Sequence, residues 1–233
     1  MQVCIFGGSA GGKSEYAGRI AEKLAGGSLI RYIATMPEQG EGAREKIRRH
    51  EKLRQNGHYK VSLCLSVSDL EQVTEELRAS AGVLPVVLLD SLDGLLADVI
   101  FGSGAEQEVS EPPLEPAENR LETALGRLAE CAGHLIAVSD DFYRDGTVYD
   151  PQTEQYISAA GRLLQAACRK ADTVIEVVYG IPVLVKPADL SGAEQVPSEN
   201  RALPFGSMGE QYEFFEIPYH HDVNLYQDSH AAD

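Results

Sequence analysis

Gly7, Gly12, Lys13 and Ser14 fill the spacing Gly-x4-Gly-Lys-Ser inside the stretch GGSAGGKSEY, directly after the apolar run Val3-Cys4-Ile5-Phe6. These residue types in this order suit a triphosphate. Glycines let successive amides turn toward an anion, and the start of a following helix adds unsatisfied N–H groups. A lysine next to them reaches the β- and γ-phosphates, and a serine hydroxyl after it ligates Mg2+. Gly7, Gly8, Ser9, Ala10, Gly11, Gly12, Lys13 and Ser14 are therefore the expected nucleotide-binding residues, with Lys13 also catalytic and ATP or GTP as the substrate. The alternative is a Gly-rich turn that only joins a strand to a helix.

A metal held at such a loop needs a carboxylate nearby, and Asp90 closes the apolar run VVLLD. A strand that ends in Asp delivers a carboxylate to the sheet edge, where it holds Mg2+ or its water. Asp also caps turns, but with the Gly-Lys-Ser loop upstream the metal role for Ser14 and Asp90 is favoured; Asp93 is a weaker candidate. Ser139-Asp140-Asp141 follows the run LIAV, where its carboxylates either assist an attacking hydroxyl, contact the metal or cap the loop. His50 lies in REKIRRHEKLR, residues 44–54, which hold six Lys or Arg against two Glu. A neutral imidazole is a nucleophile toward phosphorus, and Arg48 and Arg49 beside it would stabilise phosphate oxygens. A solvated helix face explains the same spacing, which alone leaves His50 undecided. The pair His220-His221 with Asp222 is a poor metal motif.

The elements that must position these groups follow from periodicity. Apolar runs at 2–6, 29–35, 60–65, 84–90, 134–139 and 173–179, with a short one at 182–186, predict strands. Segments 14–25, 41–54, 69–80, 117–132 and 152–171 carry apolar residues every three to four positions and predict helices. Alternation of the two predicts an α/β fold with a mostly parallel sheet covered by helices on both faces, and ligands at the carboxyl ends of its strands. Residues 1–187 are expected to form this nucleotide-binding domain. Residues 103–116, rich in Pro and Glu, are expected to be a surface loop. Residues 188–233 hold nine acids against Arg201, a net −8 of the chain's −16, and are expected to form an acidic tail, disordered in part.

Composition bounds the rest. The 233 residues are 43% hydrophobic with no apolar run near the roughly 20 residues of a membrane span, and the first residues lack a basic segment followed by an apolar core, so a cytoplasmic location is expected. The charge of −16 argues against a nucleic-acid partner. Cys4, Cys64, Cys131 and Cys168 are far apart in sequence and show no Cys-x2-Cys spacing; they are expected to be reduced, buried and small apolar in character.

With the P-loop, YIAT (32–35), the basic segment around His50, LLD (88–90) and VVYGIPV (177–183), the chain from Gly7 to about Lys186 resembles the adenosylcobinamide kinase/adenosylcobinamide-phosphate guanylyltransferase family. The resemblance implies a RecA-like P-loop NTPase fold and two reactions of cobalamin biosynthesis. One moves a γ-phosphoryl group from ATP or GTP to the aminopropanol hydroxyl of adenosylcobinamide. The other passes GMP from GTP to the new phosphate through a guanylylated histidine, with pyrophosphate released. It assigns that histidine to His50, the triphosphate to Gly7–Ser14 and the second metal ligand to Asp90, and it implies small-molecule corrinoid and purine-nucleotide partners. It also implies a homo-oligomer, trimeric in the family's best-known members. The chain departs from the family pattern at Ala10-Gly11, at Arg54-Gln55 and at Ser139-Asp140-Asp141, which stands where Thr-Asn-Glu is usual. A kinase that has lost guanylyl transfer, or a nucleotide-binding regulatory protein, is the alternative.

Overall fold

A computed structural model of the chain describes residues 1–35, 58–80, 82, 84–101, 117–141 and 147–188, all of which fall within the unit Met1–Gln195. Seven strands form one sheet: β1 (Gln2–Gly7), β2 (Ile30–Ala34), β3 (Tyr59–Leu63), β4 (Val86–Asp90), β5 (His134–Asp140), β6 (Thr173–Val178) and β7 (Ile181–Lys186). Their order across the sheet is β3-β2-β4-β5-β1-β6-β7. All neighbours are parallel except β6 and β7, which form an antiparallel hairpin. Parallel strands buried on both faces need apolar residues at consecutive positions rather than at alternate ones, and β4 supplies Val86, Val87, Leu88 and Leu89, all buried.

Among the described residues, five helices flank the sheet: α1 (Lys13–Ala25), α2 (Val67–Ala79), α3 (Leu92–Phe101), α4 (Ala117–Glu130) and α5 (Pro151–Lys170). Helix α1 packs against β1, β2, β4 and β5 through Ala17, Ile20, Ala21 and Ala25, a stripe at helical spacing. The main core joins Ile33, Val87, Leu89, Leu135 and Ala137 of the sheet to Leu70 and Val73 of α2, Leu92, Leu95 and Leu96 of α3, Leu121 and Leu128 of α4, and Leu163 of α5. Burying each of these large side chains stabilises the fold by about 1.5–3 kcal/mol.

The fold class expected from periodicity is the one present, with element ends differing by at most two residues from the expected ones. Helix α3 is the exception, since no helix was expected after Asp90. Its residues LDGLLADVIF, ten positions with Leu92, Leu95 and Leu96 buried, are apolar on most of their circumference, so they lack the clear one-sided stripe by which periodicity marks a helix. The predicted helix over 41–54, the loop 103–116 and the tail from 189 onward lie outside the described residues.

The cysteines correct one expectation. Cys4 on β1 and Cys168 on α5, 164 positions apart, meet with their sulfurs 3.7 Å from each other. Sequence spacing hides this because the contact is made by packing α5 across β1. Cys168 is half-buried rather than buried, while Cys4, Cys64 and Cys131 are buried, and all four are free thiols.

Candidate functional site

The carboxyl ends of β1, β2, β4 and β5 converge on the start of α1. Helix α2 has a reciprocal capping box between Ser66 and Asp69, and α5 is capped by the Asp150 carboxylate. Helix α1 instead begins at Gly12 with no side-chain cap. Its first amides are thus left for an external acceptor, and with the macrodipole they favour an anion. The loop before it is drawn tight by a Gly11 N–H donated to the Gly8 carbonyl, 3.1 Å. Gly7 has φ of 149°, and a side chain there would run into the Val177 carbonyl of β6. Only glycine meets both demands.

Lys13 is buried to 6% exposure although it opens a helix. Its ammonium donates to the Gly8 carbonyl at 2.7 Å and lies 2.5 Å from Asp140 Oδ1 at the end of β5. A buried lysine must be paired, and Asp140 supplies the pairing charge at the mouth of the loop. Asp140 is itself positioned by Asp93: the Asp140 N–H donates to Asp93 Oδ2 at 2.7 Å, and the Ser139 hydroxyl donates to Asp93 Oδ1 at 3.2 Å. Burial pushes the Asp93 carboxyl up to about 6 and the neighbouring Asp140 charge adds to this, while the two donated hydrogen bonds pull the other way. Tyr156 of α5 donates to the Asp93 carbonyl at 3.2 Å, its phenol raised by burial and then by the charges of Asp93 and Asp140.

Asp90 ends β4 beside this group. The Ser14 hydroxyl donates to Asp90 Oδ1 at 3.2 Å and the Tyr32 hydroxyl to Asp90 Oδ2 at 3.3 Å. The Asp90–Ser91 peptide is cis. Thr35 Oγ1 donates to the Ser91 carbonyl at 2.7 Å and accepts the Ser91 N–H at 2.8 Å, so the ends of β2 and β4 are clasped together. Gly94 lets α3 lie against this clasp, since a Cβ there would stand 2.5 Å from the Thr35 carbonyl and hydroxyl oxygens. Ser14 and Asp90 present adjacent hard oxygens, the donor set of a magnesium site that draws its other ligands from phosphates and water. Among the described residues, no group of three or more His, Cys, Asp or Glu is arranged for a metal.

The structure therefore brings together Gly7, Gly8, Ser9, Ala10, Gly11, Gly12, Lys13, Ser14 and Asp90, which sequence spacing singles out. It gives Asp93 and Asp140 definite partners and adds Tyr32 and Thr35, which the sequence marks as the ends of the motif YIAT without indicating what they touch. His50, Arg48 and Arg49 lie outside the described residues. A separate cavity of about 340 Å3 lies between α4, α5 and the sheet, lined in part by Cys4, Leu125, Ala129, Leu163 and Ala167, and includes no P-loop residue. No helix among the described residues is long and apolar enough to cross a membrane.

Residues 3–185 match the family described as cobinamide kinase / cobinamide phosphate guanyltransferase. No curated protein matches the chain in sequence. Among solved structures, the ATPase domain of G40P is similar with a TM-score of 0.47 at 14% identity, over 81% of this chain and 77% of that one. The flagellar accessory protein FlaH from Methanocaldococcus jannaschii is similar with a TM-score of 0.45 at 15% identity, over 83% of this chain and 81% of that one.

Proposed function

The chain belongs to the cobinamide kinase / cobinamide phosphate guanyltransferase family, and from that premise we propose that it carries out both reactions, first phosphorylating adenosylcobinamide from ATP or GTP and then transferring GMP from GTP to the product. The observation that carries the kinase half is the seating of Lys13, an ammonium buried at an uncapped helix start and 2.5 Å from a carboxylate that phosphate oxygens can replace. On binding, the γ-phosphate takes over Lys13 from Asp140, and the loop amides of Gly8–Ser14 hold the β-phosphate. Ser14 and Asp90 would hold magnesium, which when bound draws charge from the β- and γ-phosphates. Asp140, released from Lys13 but still fixed by Asp93, stands at the edge where the aminopropanol hydroxyl arrives and is placed to accept its proton. Since phosphoryl transfer asks little covalent chemistry of the protein, most of the rate comes from this positioning and charge neutralisation.

For the second reaction His50 is the nucleophile. Its imidazole attacks the α-phosphorus of GTP, pyrophosphate leaves, and the phosphoramidate passes GMP to the corrinoid phosphate with the imidazole restored. Arg48 and Arg49 stabilise the α-phosphate oxygens. The test is incubation with Mg2+ and GTP labelled in the α-phosphate. An acid-labile, alkali-stable adduct that vanishes in His50→Ala supports this reading. Label retained by His50→Ala removes His50 as the nucleophile, and no adduct beside active cobinamide phosphorylation leaves a kinase alone.

A further inference from the structure

Residues Tyr179 and Gly180 form the two-residue loop of the β6–β7 hairpin, between the paired residues Val178 and Ile181. Both have positive φ, 49° for Tyr179 and 81° for Gly180, as in the tight turns that fit the twist of a hairpin and that favour Asn-Gly or Gly-Gly. A tyrosine at the first position meets the strain of the left-handed region with none of asparagine's local hydrogen bonding. Core packing does not compensate, because Tyr179 is 87% exposed. The turn is nevertheless fixed in space. The Gly180 N–H donates to the Gly11 carbonyl at 2.9 Å, and a Cβ at Gly12 would stand 3.4 Å from the Gly180 Cα. An exposed aromatic ring is thus carried by a hairpin tied to the P-loop itself.

The strand order gives the direction in which a nucleotide must lie. Among the described residues, the strand-borne groups around Lys13 and Ser14 lie on one side of β1: Asp140 on β5, Asp90 on β4, Tyr32 on β2. A triphosphate whose γ end faces those strands sends its α-phosphate, sugar and base toward β6 and β7, where the loop carries Tyr179 with Val178 and Ile181, both also exposed, beside it.

We propose that Tyr179, on the hairpin turn bonded to the P-loop, is the stacking platform for the purine base of the bound nucleotide. This rests on the triphosphate reading of the loop. Every base offers a π-face, so such a platform supplies affinity for ATP and GTP alike without choosing between them.

The test is calorimetric titration of the full chain with Mg-GTP, Mg-ATP and magnesium tripolyphosphate, which has the phosphates but no base. Tyr179→Ala is expected to weaken both nucleotides by about 5- to 150-fold, the range for loss of one base–aromatic stack, and to leave tripolyphosphate affinity within about two-fold. Tyr179→Phe, which keeps the ring, is expected to bind all three as the unaltered chain does. Tyr179→Gly, which relaxes the turn, is expected to raise the midpoint of thermal unfolding yet weaken the nucleotides as Tyr179→Ala does. An unchanged nucleotide affinity in Tyr179→Ala, or an equal loss for tripolyphosphate, overturns the platform and leaves the P-loop reading standing. If the unaltered chain binds neither nucleotide nor tripolyphosphate, both fall together.

Discussion

Asp93 provides a sharp perturbation because its cost and its use are separable. A carboxyl held at about 6 in the fold, against 3.8 when exposed, is one whose ionised form the fold disfavours. Below both values the group is protonated in folded and unfolded chains and costs nothing. As pH rises from about 4 to 6 the unfolded chain ionises first, and stability falls; above 6 the full penalty is present. A gap of roughly two units corresponds to a penalty on the order of 3 kcal/mol at pH 8, and to about half of that at pH 5. Asp93→Asn removes the charge and keeps an oxygen to accept the Asp140 N–H, while its amide can donate to the Ser139 hydroxyl in place of accepting from it. The variant is expected to be more stable than the unaltered chain, by up to about 3 kcal/mol at pH 8 and by about half as much at pH 5. Asp93→Ala leaves the Ser139 and Asp140 donors without their acceptor and is expected to be less stable than Asp93→Asn at every pH. Urea unfolding followed by circular dichroism from pH 5 to 8 measures this. A difference between Asp93→Asn and the unaltered chain that does not grow with pH would refute the assignment of the penalty to this carboxyl.

Two further perturbations follow from the site. Gly7→Ala places a methyl group against the Val177 carbonyl at a φ that alanine avoids, and is expected to lower stability by about 3 kcal/mol or more, read as a drop in the urea midpoint, with nucleotide binding lost alongside. Ser14→Ala and Asp90→Asn each remove one of the two adjacent oxygen ligands, and are expected to raise the magnesium concentration needed for half-maximal phosphoryl transfer by about ten-fold or more; an unchanged magnesium dependence in both would place the metal elsewhere.

Much of this architecture was legible in the sequence because the parallel sheet enforces it. Strands buried on both faces must be apolar throughout, so β1, β4 and β5 stand out, and the spacing of Gly7, Gly12, Lys13 and Ser14 belongs to one continuous segment whose geometry is local. Asp90 was legible because it ends such a strand. The pairing of Lys13 with Asp140, and of Asp140 with Asp93, was not: Asp140 ends β5 and Asp93 sits in the first turn of α3, and which of several acidic residues meets the lysine depends on strand order, which periodicity does not supply. Helix α3 was hidden because it is short and apolar on most of its circumference, with Leu92, Leu95 and Leu96 buried, and so shows no one-sided stripe. The Cys4–Cys168 contact and the approach of the Tyr179–Gly180 turn to the P-loop were hidden for the same reason, being made by segments more than 160 positions apart.

The central claim is that Lys13 and the amides around it grip a triphosphate and pass on its terminal phosphoryl group. Incubating the protein with Mg2+, adenosylcobinamide and GTP labelled in the γ-phosphate tests it most directly. Label should move to the corrinoid with the unaltered chain and not with Lys13→Ala. Folded protein that binds GTP but leaves the corrinoid unlabelled, or a Lys13→Ala variant that transfers label at the same rate, would contradict it.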